Sequence, residues 1–140
     1  MYEVLEHSQR IVAVRVTSIP TVDVARALGR DVLAAVGQAR GPVIATADLR
    51  RAGLFTPEVA EAILAILRAD NPRLERSAHI VGSSATFALQ IERVVREAAN
   101  PRRRVFRSAP DALAYLAEVL TPSQTAWLRA FYAATEHPPA

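Results

Sequence analysis

The run Val43-Ile44-Ala45-Thr46-Ala47 constrains the fold most, because only Thr46 interrupts its apolar character. A strand with one solvated face alternates polar and apolar residues, whereas a strand without alternation is buried on both faces. The run therefore predicts a central strand, with other strands beside it and helices packed above and below. It ends in Asp48-Leu49, and a short loop leads to Thr56-Pro57 and an amphipathic stretch. A buried strand that stops at an acid and restarts as a helix brings free backbone N–H groups and loop side chains together beyond its carboxyl end.

The flanking segments supply the neighbours that this strand needs. Tyr2 to Glu6 and Arg10 to Thr17 alternate apolar and polar residues around His7-Ser8-Gln9, which predicts a hairpin. Pro20 stops the second run, and from Thr21 onward Val22, Ala25, Leu28, Val32, Leu33 and Val36 recur at helical spacing up to Gly37 or Gly41. Ala78 to Gly82 and Arg104 to Arg107 read as further strands. Each later strand leads into a helical pattern, over Pro57 to Ala69, Ala85 to Ala99 and Pro110 to Leu120. Parallel strands need helical crossovers and antiparallel ones do not. The predicted fold class is thus α/β, a mixed four- to five-stranded sheet with a parallel centre after an N-terminal hairpin.

Thr56 before Pro57, Ser108-Ala109 before Pro110 and Thr121 before Pro122 place proline where a missing N–H costs nothing, with a capping residue ahead. The last of these opens Pro122 to Ala134, an additional C-terminal helix whose Trp127, Leu128, Phe131 and Tyr132 suit closure over the core or a contact with a partner; core closure is the expectation, with Trp127 and Phe131 largely buried. Residues 1–120 read as the domain proper and 121–140 as this helix with a frayed tail, His137-Pro138-Pro139-Ala140.

Composition removes several kinds of chemistry. The chain has 140 residues, 51% of them apolar, enough for one domain with a real core. There is no cysteine, hence no thiolate nucleophile or thiolate metal site. All 17 basic residues are arginine, which excludes Schiff-base lysine chemistry and a Walker-type phosphate loop. The histidines at 7, 79 and 137 show no metal-ligand spacing, so neither metal nor cofactor is expected. No apolar run reaches the roughly 18 residues of a membrane span, and the start Met1-Tyr2-Glu3 has no signal-peptide character. A cytoplasmic protein without membrane attachment is the expectation.

Candidate site residues cluster after two strands. Asp48, Arg50, Arg51 and Thr56 surround the first turn. A phosphate on Thr56 would gain from the helix N-terminus and from Arg50 or Arg51, while Glu58 would oppose it. Thr56 also has a sufficient structural task as a helix cap, worth about 1 kcal/mol. Gly82-Ser83-Ser84 follows another strand and opens a helix, a geometry able to hold an anion. A serine nucleophile there would need a histidine, and His79 lies on the preceding strand. Arg102-Arg103-Arg104 with Arg107, Arg93, Arg96, Arg73 and Arg76 form a basic region, yet the net charge is only +3 and aromatic residues do not alternate with the arginines. A solvated edge that discourages strand pairing accounts for Arg102 to Arg104, and no specific nucleic-acid partner is expected.

The order of elements from Tyr2 to Leu120 resembles the STAS domain, close to its SpoIIAA-like anti-sigma-factor antagonists. Asp48-Leu49 closing the central strand carries the resemblance, as do Val105-Phe106-Arg107 and Asp111-Ala112-Leu113-Ala114-Tyr115-Leu116. The resemblance implies a non-enzymatic regulatory module that docks a kinase or anti-sigma-like protein through the loop and helix around Thr56, as a monomer or weak homodimer. The family's phosphorylated hydroxyl lies in an Asp-Ser-Ser-Gly motif, where this chain has Phe55-Thr56-Pro57-Glu58, so only Thr56 matches that position. The alternative is a domain binding a small anionic or apolar ligand, with hydrolytic chemistry at Ser83 or Ser84.

Overall fold

Five strands lie side by side in sequence order in the computed structural model, which describes residues 1–136. The order of elements is β1 (Tyr2–His7), β2 (Ile11–Val16), α1 (Val22–Gly37), β3 (Val43–Leu49), α2 (Pro57–Asp70), a 3-10 turn (Asn71–Arg73), β4 (Leu74–Val81), α3 (Ala85–Glu97), β5 (Arg103–Phe106), α4 (Ala109–Ala117) and α5 (Pro122–Glu136). β1 runs antiparallel to β2, and β2 to β5 are parallel. The α/β expectation holds, with β3 at the centre of the sheet. His137 to Ala140, expected as a frayed tail, lie outside the described residues.

The hairpin closes through Ser8 and Gln9, whose φ values of 56° and 51° place both in the left-handed region. Two such residues in succession give the twist that joins neighbouring antiparallel strands, and the Arg10 amide donates to the His7 carbonyl at 3.1 Å.

Sequential strand order decides where the helices lie. Right-handed crossovers between successive parallel strands put all their helices on one face. Accordingly α1, α2 and α3 enclose a core with Val12, Val14, Val16, Val43 and Val81 on that side. The opposite face would otherwise be bare. There α4 and α5 cover Ile11, Ala13, Ile44, Ala78 and Ile80 with Ala112, Leu116, Leu128, Phe131 and Tyr132. The C-terminal helix is thus a full part of the second core. Phe131 is buried as expected, whereas Trp127 is only half-buried, which corrects the expectation for it: it lies at the margin of this core, stacked on His7 at 4.8 Å and on Phe131 at 6.0 Å.

Helix starts follow the sequence closely. Thr21, Thr56, Ser84 and Ser108 each accept a hydrogen bond from the amide three residues on. Thr121 and Gln124 cap reciprocally: the Gln124 amide donates to the Thr121 hydroxyl, and the Thr121 amide to the Gln124 side chain.

β4 begins four residues earlier than its apolar pattern suggested. Glu75 and Arg76 obscure it in the sequence, but each has a partner from another element, Arg10 for Glu75 and Glu118 for Arg76. No helix among the described residues is long and apolar enough to cross a membrane.

Candidate functional site

Alternation along β3 turns Ile44, Thr46 and Asp48 toward α4 and α5, so the acid that ends the strand faces the C-terminal helix. Its side chain is 0% exposed. The Arg50 Nη2 and Nε donate to Asp48 at 2.7 and 3.0 Å, and the Thr135 hydroxyl donates at 2.7 Å. Burial opposes ionisation of this carboxyl. The hydrogen bonds from Arg50 and Thr135, with the charge of Arg50, outweigh it and hold Asp48 below the usual carboxylate range. Arg50 is correspondingly raised, chiefly by its hydrogen bonds to Asp48.

The same residues fasten the end of α5. Arg50 donates to the Tyr132 carbonyl at 2.7 Å, Arg51 to the Thr135 carbonyl at 2.7 Å, and Arg15 to the Phe131 carbonyl at 2.8 Å. Three guanidinium groups therefore gather on carbonyls near the carboxyl end of α5, where the macrodipole favours cations, and the Thr135 carbonyl is one of the four that an α-helix leaves unpaired. Thr46 completes the contact, its hydroxyl 2.7 Å from that of Tyr132. Asp48, Arg50 and Arg51 come together around the end of α5. Sequence reasoning missed Arg15, Tyr132 and Thr135, which join this network from distant parts of the chain.

Gly82 meets the same turn from β4. A Cβ placed there would lie 2.8 Å from the Arg50 carbonyl oxygen, a backbone atom with little freedom to retreat. Close approach of two loops explains this glycine. Gly82→Ala is expected to destabilise the fold by about 1–3 kcal/mol, read from urea denaturation; an unchanged midpoint would show that the turn yields freely. Ser84 caps α3, and Ser83 is exposed. His79 gives these serines no base: it is buried, with Nε2 3.3 Å from the Ser77 hydroxyl on the α1–α3 side of the sheet.

Thr56 stands apart from the Asp48 network. It is exposed at the start of α2 and accepts from the Val59 amide at 3.3 Å. Its predecessor fixes the loop. Phe55 is buried edge-on to Phe87, and its amide and carbonyl both pair with the Gln90 side chain, at 2.9 and 2.8 Å. Leu54, immediately before, is 61% exposed.

The basic edge is only partly solvated, which corrects the expectation for Arg102 to Arg104. Strand alternation turns Arg103 inward, where it is 6% exposed and donates to the Asn71 side chain and the Leu67 carbonyl, both at 2.9 Å. Arg104 and Arg76 instead lie over the Tyr115 ring, at 4.5 and 4.7 Å from its centroid. Ser77, His79, Asp70 and Arg103 form a buried polar group beneath α2, lining a cavity of about 90 Å³ with apolar walls. Burial drives the His79 imidazole down to about 3 and the Arg103 guanidinium down to about 10, and it raises the Asp70 carboxyl. No local motif announces this group, because its members come from three elements.

A scan against models of protein families and a search of curated proteins each return no match.

Proposed function

We propose that the chain is a non-enzymatic, STAS-like regulatory module that docks a partner protein through the loop and helix around Thr56. The observation that carries this reading is the juxtaposition of Phe55 and Leu54. Phe55 is clamped on both its backbone groups, so the loop is held in one shape, and that shape presents Leu54, Thr56, Pro57 and Glu58 to solvent. A fixed loop with an apolar residue outward loses little entropy on binding and gains from burying that residue.

A groove between α1 and α2 continues this surface from Glu58. Its sides carry Arg26 and Arg30 on α1 against Glu58 and Glu61 on α2, with the 56%-exposed Leu33 along it. Mixed charge around an apolar strip suits an amphipathic helix of a kinase or anti-sigma-like regulator. The placement of His79 away from Ser83 and Ser84 favours this reading over hydrolysis. The inward turn of Arg103 and the stacking of Arg76 and Arg104 on Tyr115 favour weak, salt-sensitive nucleic-acid association over specific recognition.

The test is capture of partners from the native cell by wild-type and Leu54→Asp proteins. Leu54→Asp should keep stability within about 0.5 kcal/mol of wild type, because the side chain is exposed, yet lose the protein that wild type retains. Equal capture by both would place the docking surface elsewhere. Thr56→Ser should preserve stability and capture, and Thr56→Ala should cost about 1 kcal/mol through the lost cap. A folded Thr56→Glu that loses the partner, with phosphate found on Thr56 of the native protein, would instead establish a phosphorylation switch.

A further inference from the structure

We propose that the chamber between the sheet and α1–α3 binds a short aliphatic monocarboxylate, its tail among Val14, Val32 and Ile63 and its carboxylate on Arg103 beside Ser77. Both ends of the chamber point to such a ligand. The walls are almost wholly apolar, while Arg103, Ser77, His79 and Asp70 gather at one end.

Arg103 decides the sign of the ligand's charge. A guanidinium carries five N–H donors. Arg103 directs three, from Nε, Nη2 and Nη1, to Asn71, the Leu67 carbonyl and the Ser77 hydroxyl, the last at a long 3.4 Å. All three acceptors are neutral. A buried cation is costly unless an anion offsets it, and the nearby acid, Asp70, acts on Arg103 through charge without forming an ion pair among the described residues. Because burial also raises the Asp70 carboxyl, it is a weak counter-ion. A ligand carboxylate would take the remaining guanidinium donors in charge-assisted hydrogen bonds.

Volume sets the length of the tail. An apolar cavity of about 150 Å³ admits benzene; this one, at about 90 Å³, suits roughly four to six heavy atoms, the range from acetate to butyrate. Entry is through the α2 wall, where Ile63, Ile66 and Leu67 are only half-buried. Phe55 of the Thr56 loop lines the chamber from inside, whereas the docking reading rests on Leu54 outside it, so failure of ligand binding would leave that reading standing.

The experiment titrates isotopically labelled wild-type protein with sodium butyrate, butan-1-ol and butylammonium chloride at constant ionic strength, following the Arg103 Nε–H and the Val14, Val32 and Ile63 methyl resonances. Butyrate should shift both sets of signals saturably, at concentrations on the order of 10 mM or below. The alcohol should bind at least about ten-fold more weakly, and butylammonium should not bind. Ala47→Val, which narrows the tail space from β3, should weaken butyrate several-fold while methyl dispersion shows an intact fold. Arg103→Met should abolish the preference for butyrate over butan-1-ol. Butanol binding as tightly as butyrate, or shifts under butyrate no larger than those from sodium chloride, would overturn the proposal using wild-type protein alone.

Discussion

A chain ending at Leu120 is expected not to fold. Sequential strand order leaves one sheet face without crossover helices, and α5 supplies Leu128, Phe131 and Tyr132 to cover it. Removing α5 takes away Leu128 and Phe131 and exposes Ile11 and Ile44. At about 1.5–3 kcal/mol per large apolar side chain, these four amount to about 6–12 kcal/mol. Typical domains have only about 5–15 kcal/mol of stability in total, so the loss is comparable with the whole. Phe131→Ala gives the graded version, with an expected cost of about 3–5 kcal/mol. Trp127 reports directly on the docking of α5, since it stacks between His7 and Phe131. Its fluorescence should change at the same denaturant concentration as the circular dichroism of the whole chain. A cooperative, monomeric fragment without α5, or a separate early fluorescence transition, would refute this.

What the sequence reveals, and what it hides, divides by the distance over which each signal acts. Alternation at Val12, Val14 and Val16, helical spacing along α1 and the unbroken run Val43 to Ala47 are local signals, and they suffice for the α/β architecture. Caps at Thr56 and Ser108 are legible for the same reason. The first half of β4 was not, because Glu75 and Arg76 read as surface until Arg10 and Glu118 are found opposite them. Asp48 was legible as an acid closing a buried strand, but its partner Thr135 lies 87 residues away and carries no motif. Arg103 shows the same limit. In a run of three arginines only strand alternation selects the middle one for burial, and nothing nearby in sequence announces Asn71 and Leu67 as its acceptors.

Asp48→Ala should cost about 3–5 kcal/mol. The Arg50 side chain is only 15% exposed, and without its carboxylate it keeps Glu136 and the Tyr132 carbonyl but loses its buried counter-charge. The Thr135 hydroxyl is left without its acceptor, so the end of α5 loosens as well. A double variant, Asp48→Ala with Arg50→Ala, should be less destabilised than the sum of the two single variants, because the second change removes the stranded charge. Acid titration separates this pair from the other buried groups. Asp48 is depressed in the folded state, so its contribution is fully present above its ordinary value of 3.8 and is lost as pH falls through its lower folded value. His79 is depressed too, from 6.5 to about 3, so stability begins to fall below pH 6.5 as the unfolded chain takes up a proton that the buried imidazole refuses. Asp70, raised by burial beside Arg103, has the opposite sign: its contribution is favourable at low pH and is lost as pH rises through its folded value. Urea midpoints measured from pH 7 to 3 should therefore decline from about pH 6.5 in wild type and in Asp48→Ala alike, with the decline between 6.5 and 4 reduced in His79→Gln. Below pH 4 wild type and Asp48→Ala should converge, since protonation removes from wild type what the substitution has already removed from the variant. A constant gap between them down to the lowest pH would mean that Asp48 stabilises the fold through shape and neutral hydrogen bonds, with its charge contributing nothing.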